Sequence, residues 1–276
     1  MLFRVRHETH YSYSTPVALA PQILRLSPRP DGIAIRTQSL WIEPGPVWRD
    51  DLVDSFGNPF TQVSFAGTTR DFMVVSAFEV ETFARFAPAG FLSPLPWGPA
   101  ADEFSIYRDG AIHPDVAAFA AEIAGRQSGS ALAFLDDLTG TLFTRTDRRI
   151  RIDGYAQPPE ETLYRAQGAC RDLSLLFIAA SRSQGFAARF VSGYQAEADT
   201  PDGQRHLHAW PEVFLPGTGW RGYDPTHGVP VLDGHVALCA APDQMATMPI
   251  EGGFTFEGTE VTSTLSYNVR IATGAG

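Results

Sequence analysis

The stretch Gln167-Gly168-Ala169-Cys170-Arg171-Asp172-Leu173-Ser174-Leu175-Leu176-Phe177-Ile178-Ala179-Ala180 decides how this chain is read. Leu173, Leu176, Phe177 and Ala180 recur at i, i+3, i+4 and i+7, the spacing of one buried helix face. Cys170 stands three residues before Leu173 on that face, in the first turn of the helix. There the unpaired N–H groups and the positive end of the helix dipole favour a thiolate over a thiol. Gly168 is expected to leave room for a substrate carbonyl, whose developing oxyanion would meet the Cys170 N–H. Most cysteines on apolar helix faces are merely small buried hydrophobes, so this one gains meaning only with partners.

Two later segments supply the partner types: His206-Leu-His208-Ala-Trp-Pro-Glu-Val-Phe-Leu215 and Trp220-Arg-Gly-Tyr-Asp224-Pro-Thr-His-Gly228. A thiol nucleophile needs an imidazole to take its proton and return it to the leaving amine, and the imidazole needs a carboxylate to orient it. His208 opens one strand-like run and Asp224 closes the next, with Pro216-Gly-Thr-Gly219 reading as the hairpin turn between them. A turn of only those four residues would set Leu215 opposite Trp220 and put His208 and Asp224 on opposite faces. A triad of Cys170, His208 and Asp224 therefore demands an odd-length turn or a bulge, for which Gly222 and Pro211 are the candidate places.

Outward from these segments, Leu2 to about Phe86 reads as strands: Phe3, Val5, His7, Thr9, Tyr11 and Tyr13 alternate with Arg4, Arg6, Glu8, His10 and Ser12. Residues 87–109 carry Pro88, Pro94, Pro96 and Pro99 with Gly90 and Gly98, and read as a linker. Past His113-Pro114 the period turns helical through Val116, Phe119, Ala120 and Ile123, then Leu132, Leu135, Leu138 and Leu142. Thr162 to Gln184 is the longest apolar helical pattern, closed by Gly185. Ala187–Tyr194, His208–Leu215 and Trp220–Tyr223 follow as strands, and the tail from Val261 to Ile271 alternates as one more. The expectation is an α+β chain: an antiparallel β domain over 1–86, a linker over 87–109, and over 110–276 a cysteine-bearing helix packed on an antiparallel sheet, with the C-terminal strand.

The formal charge of −10 is spread without long runs, so nucleic acid and anionic membranes are not expected partners. Every one of the 21 basic residues is arginine. Schiff-base chemistry, the phosphate-loop lysine and a self-donated isopeptide lysine are thereby excluded. No window has the apolar length of a leader or a membrane span, so the cytoplasm is the expected location. Two cysteines, Cys170 and Cys239, are too few to staple a secreted scaffold and read as free thiols.

Gly-Ala-Cys170-Arg-Asp with its apolar helix, Gly-Phe-Ala-Ala-Arg189-Phe-Val-Ser-Gly-Tyr194, His208-Ala-Trp and Gly-Trp220-Arg-Gly-Tyr-Asp224-Pro-Thr together resemble the transglutaminase-like superfamily of papain-like cysteine enzymes, in particular its bacterial protease-like members. Thr9-Tyr-Ser-Tyr and Leu24-Arg-Leu-Ser-Pro-Arg resemble the β-rich N-terminal region that accompanies that core. The resemblance implies a papain-like fold with Cys170 as nucleophile, His208 as general base and acid, and Asp224 as orienter. It implies a peptide or protein amide as substrate, a thioester on Cys170, and no cofactor. Two positions depart from the pattern. Pro211 stands where the strand usually carries a β-branched residue, and Arg171 replaces the tryptophan that commonly follows the cysteine in crosslinking members. Arylamine N-acetyltransferases are a weaker resemblance, because their Arg-Gly-Gly-x-Cys signature is absent.

Other readings compete. His206 and His208 would share a strand face and, with Cys170 or Asp224, could chelate zinc as a metal hydrolase does. Transamidation is the alternative outcome of the same thioester, and a catalytically unused scaffold is the alternative to any enzyme. Asp172 reads as a first-turn carboxylate and Arg171 as an ion-pair partner, neither catalytic. Gln167 and Tyr155 are the candidates for a second oxyanion donor. Trp210 and Trp220 read as core, Cys239 as inert, and His7, His10, His113 and His235 show no partner in the sequence.

Overall fold

A computed structural model describes residues 1–84, 92–98, 103–151, 154–196 and 205–274. The expected linker thus lies partly outside the described residues, at 87–91 and 99–102. Its described part packs against the helical core through Leu92, Leu95 and Trp97, and Trp97 lies 4.5 Å from the Phe186 ring.

The first unit is built on β1 (Leu2–Leu19), whose buried Phe3, Val5, His7 and Thr9 face the core while Arg4 and Arg6 stay in solvent. On one side β1 pairs antiparallel with β6 (Thr69–Thr82), which pairs in turn with β3 (Ile33–Glu43). A second sheet holds β2 (Gln22–Leu24), β4 (Trp48–Val53) and β5 (Pro59–Ser64). The other side of β1 is taken by the chain's end: β15 (Phe254–Phe256) and β16 (Ser263–Gly274) both pair with it, and β14 (Ile250–Glu251) joins β2. The C-terminal strand, grouped by sequence with the second unit, is therefore hydrogen-bonded into the first.

The second unit opens with α1 (Pro114–Arg126) and α2 (Ala131–Arg145), whose apolar faces bury Val116, Phe119 and Ile123 and then Leu135, Leu138 and Leu142. The long helical pattern from Thr162 is broken. It gives α3 (Pro159–Arg165), a left-handed Ala166 at φ 50°, and α4 (Cys170–Ser183). Between α2 and α4 run the short parallel pair β7 (Asp147–Arg148) and β8 (Gln167–Gly168). β9 (Ala188–Gln195), β10 (His208–Leu215), β11 (Gly219–Asp224), β12 (Val229–Pro230) and β13 (His235–Ala241) form one antiparallel sheet in the order β12-β11-β10-β9-β13.

This sheet is covered on both sides, and β9 is buried at every residue. Leu176, Phe177 and Ala180 of α4 share a core with Ala188, Phe190 and Val213 of the sheet. Tyr194, Val236 and Leu238 pack instead with Phe3, Val5 and Phe78 of the first unit. Burial of each such side chain is worth about 1.5–3 kcal/mol. The free edge of β13 is closed by fully buried Asn58, whose Nδ2 donates to the Ala240 carbonyl (3.0 Å) while its Oδ1 accepts from the Ala240 N–H (2.7 Å). One side-chain amide there does what a neighbouring strand would do. No described helix is long and apolar enough to cross a membrane.

Candidate active site

Cys170 is the first residue of α4, after Ala169 in extended conformation. Asp172, fully buried, holds this helix head in place. Its carboxylate accepts from the N–H groups of Ala169 (2.7 Å) and Gln157 (2.8 Å) and from the Arg151 guanidinium (2.8 Å). The first of these is one arm of a capping box, and the other two draw the loop at 151 and 154–157 over the helix N-terminus. The space expected to admit a carbonyl at Gly168 is filled by this arrangement: a Cβ there would stand 2.9 Å from the Cβ of Asp172. Arg171 donates to the Arg151 carbonyl (2.8 Å) and so belongs to the same loop clasp.

The β10–β11 hairpin decides where the other groups stand. Leu215 pairs with Gly219, so the turn holds Pro216, Gly217 and Thr218, and the four-residue turn read from sequence is one residue too long. That shift of one puts His208 and Asp224 on the same face without a bulge at Gly222 or Pro211. Phe214 donates to the carbonyl of Ala187, just before β9, so by alternation the Ala209 N–H points away from β9. The β10–β11 pairing stops at Glu212, next to Pro211, which has no N–H to offer. The Ala209 N–H is thereby free to donate to the Cys170 sulfur.

His208 bridges the cluster. Its Nε2 is 2.8 Å from Oδ2 of Asp224, and its ring is close enough to the Cys170 thiol that each shifts the other's pKa. With Nε2 committed to the carboxylate, Nδ1 is the nitrogen left for sulfur. Asp224 is fully buried, and the turn that follows it wraps its second oxygen: Oδ1 accepts from the N–H groups of Thr226 (2.9 Å) and His227 (3.3 Å).

Electrostatics follow from these contacts. Burial works against ionised Cys170, but the His208 hydrogen bond and charge, the Ala209 N–H and Arg171 outweigh it and hold the thiol below its ordinary value. Burial likewise works against a charged His208, and the Asp224 charge and hydrogen bond, with Cys170, reverse that and raise its pKa. Asp224 is held well below the carboxylate range despite its burial, by the His208 charge and by hydrogen bonds from three imidazoles. The favoured state is a thiolate–imidazolium pair backed by a carboxylate. Cys170 is only partly buried at the head of its helix. Cys239, by contrast, is fully buried and pushed by burial up to about 12.

Two histidines with no partner in the sequence reading belong to this cluster. His227 Nδ1 is 2.8 Å and His235 Nε2 is 3.1 Å from the same Asp224 Oδ2. A signal for His227 existed in Asp224-Pro-Thr-His, a turn that folds its fourth residue back on the carboxylate. None existed for His235, which the pairing of β13 with β9 brings in. His206, the expected chelating partner of His208, instead faces the Tyr267 hydroxyl at 2.8 Å. Among the described residues, the groups near enough to hold a metal are His208, Asp224 and His227. Their 2.8 Å N–O separations fit shared protons, whereas two ligands of a tetrahedral zinc stand about 3.3 Å apart.

The expected oxyanion donors stand elsewhere. Gln167 gives its amide to Asp147 (3.2 Å), and Tyr155 projects into solvent. The Cys170 N–H at the helix head is the donor the geometry leaves beside the sulfur. Trp210 is buried with its ring 5.1 Å from that of His235, and Arg189 lies over the Trp220 ring at 4.1 Å.

Residues 3–81 match the family described as the bacterial transglutaminase-like N-terminal region, and residues 117–225 match the transglutaminase-like superfamily. An uncharacterized protein of Mycobacterium tuberculosis is 26% identical over 278 residues, spanning 91% of this chain and 86% of that one. The solved structure titled a "Putative Cysteine Protease" from Cytophaga hutchinsonii superposes with a TM-score of 0.72 at 18% identity, covering 99% of this chain and 90% of that one. The last likeness shows the fold: a transglutaminase-like core behind a β-rich N-terminal region.

Proposed function

We propose that this chain, whose residues 117–225 match the transglutaminase-like superfamily and residues 3–81 its bacterial N-terminal region, is a cysteine-nucleophile acyl-transfer enzyme that hydrolyses peptide or side-chain amides. The observation that carries this reading is the Asp224 carboxylate 2.8 Å from His208 Nε2, with the His208 ring in turn lowering the pKa of the Cys170 thiol.

In the first step the thiolate attacks the amide carbonyl, and the oxyanion that develops is met by the Cys170 N–H. The C–N bond then breaks, the His208 imidazolium gives its proton to the leaving amine, and a thioester on Cys170 remains. Neutral His208 takes a proton from water, the hydroxide equivalent attacks the thioester, and the C–S bond breaks. The carboxylic acid leaves and the thiolate–imidazolium pair is restored. Asp224 keeps its charge throughout, and its role is to hold the ring with Nδ1 toward sulfur.

The test is intact-mass trapping. The chain is mixed with a library of peptides, glutamine amides and isopeptide amides, and the mass of Cys170 is followed. An adduct equal to the acyl half of one substrate, lost in Cys170→Ala, is the expected result. Absence of any adduct or cleavage, with a thiol that still alkylates readily, would favour a scaffold.

A further inference from the structure

Three imidazoles converge on one carboxylate oxygen. His208 Nε2, His227 Nδ1 and His235 Nε2 lie 2.8, 2.8 and 3.1 Å from Asp224 Oδ2, while the backbone N–H groups of Thr226 and His227 occupy Oδ1. We propose that His227 and His235 are positioning residues that share the Asp224 carboxylate with His208 and so set how firmly His208 holds its second proton. This inference rests on the cysteine-nucleophile reading and adds to it a control on the acid that protonates the leaving group.

The argument begins with counting. A carboxylate oxygen offers about two lone-pair directions, so three N–H groups at hydrogen-bond distance compete for it and each bond is weaker than it would be alone. Each ring must also present an N–H to that oxygen, which fixes the tautomers: Nε2–H on His208, Nδ1–H on His227, Nε2–H on His235. For His235 the Asp224 bond is the ring's one hydrogen bond among the described residues, since its buried Nδ1 finds no partner among them. A buried imidazole that leaves one nitrogen unpaired costs stability, and its other nitrogen points at Asp224. Burial keeps His235 neutral by lowering its pKa, so it donates to the carboxylate without adding a second cation.

The charged and titratable groups facing the cluster are few. Cys170 and Arg171 come from α4, His208 from β10, Asp224 from β11, His227 from the turn after it and His235 from β13. Taking away one competing N–H leaves Asp224 anchored by the two backbone donors and concentrates its charge on His208. The imidazolium is then held harder, and it gives up its proton at higher pH.

The experiment follows the His208 ring by nitrogen NMR through a pH titration in the full chain. The variants are His227→Phe, which removes the donor at a partly exposed position, and His227→Gln, which keeps an N–H. His208 is expected to titrate higher in His227→Phe by roughly half a pH unit or more, and close to wild type in His227→Gln. An unchanged or lowered titration in His227→Phe, with an unaltered circular dichroism spectrum, would overturn the inference. His235→Asn serves as a second donor-retaining test at the buried position, with the same outcome expected as for His227→Gln. The titration needs no substrate, so an upward shift in a chain that forms no acyl adduct would defeat the enzymatic reading and leave the carboxylate sharing intact.

Discussion

Leu215 pairs with Gly219 across the β10–β11 hairpin, and this register places the His208 imidazole and the Asp224 carboxylate 2.8 Å apart on one face. One residue more in the paired strands would turn one of the two groups to the far side of the sheet. The candidate chemistry depends on a three-residue turn at some distance from the sulfur.

Asp224→Asn keeps the shape of the side chain and removes its charge. With only Cys170 left to offset burial, His208 loses much of its raised affinity for a proton, and the support of its charge for the Cys170 thiolate weakens with it. Alkylation of Cys170 at pH 6 is expected to slow by about tenfold or more, measured as the rate of mass gain with iodoacetamide. An unchanged rate would show that the carboxylate does not set the charge state of the pair.

Gly193 faces His208 in the β9–β10 ladder, and a Cβ there would lie 2.2 Å from the Val236 carbonyl oxygen and 2.7 Å from the Trp210 ring. Backbone cannot yield at that distance. Gly193→Ala is expected to cost about 1–3 kcal/mol or more in urea unfolding. It should also weaken Cys170 reactivity, because Trp210 packs beside His235. Full stability in this variant would contradict the packing described.

Asp172→Ala leaves the Arg151 guanidinium and the N–H groups of Ala169 and Gln157 without their acceptor. A loss of about 1–3 kcal/mol is expected, the cost of leaving buried N–H donors without a partner. Hydrogen exchange should show the loop at 154–157 released from the head of α4. A loop that stays protected would assign its order to other contacts.

His7 is buried against the Tyr194 hydroxyl at 2.7 Å, and desolvation lowers its pKa to about 4. The folded ring stays neutral between pH 6.5 and 4, while the unfolded chain takes up a proton, so this contribution is complete above pH 6.5 and declines as pH falls toward 4. The loss reaches about 3 kcal/mol. Urea midpoints at pH 7 and 4.5 should therefore differ more in the wild type than in His7→Asn; equal differences would contradict the assignment.

Much of this was legible in the sequence, for identifiable reasons. The buried face of α4 is written in Leu173, Leu176, Phe177 and Ala180, and β10 begins at His208 because the apolar run begins there. The left-handed turn that separates α3 from the Cys170 helix was not legible, since the residue that makes it is Ala166 rather than a glycine. Nor was the turn length, because Gly219 serves equally as turn residue and strand residue. The pairing of β16 with β1 and the arrival of His235 beside Asp224 are long-range events that no local pattern records. Gly168 suggested an opening, and the side chain that fills it, Asp172, was read only as a helix-dipole partner.

The most direct measurement is the pH dependence of Cys170 alkylation by iodoacetamide in the wild type and in His208→Ala. The account predicts a wild-type inflection below that of an ordinary thiol, and a rise in His208→Ala, where burial is opposed only by the Ala209 N–H and the Arg171 charge. Superimposable profiles in the two proteins would contradict it, because the thiol would then owe nothing to the His208 imidazole.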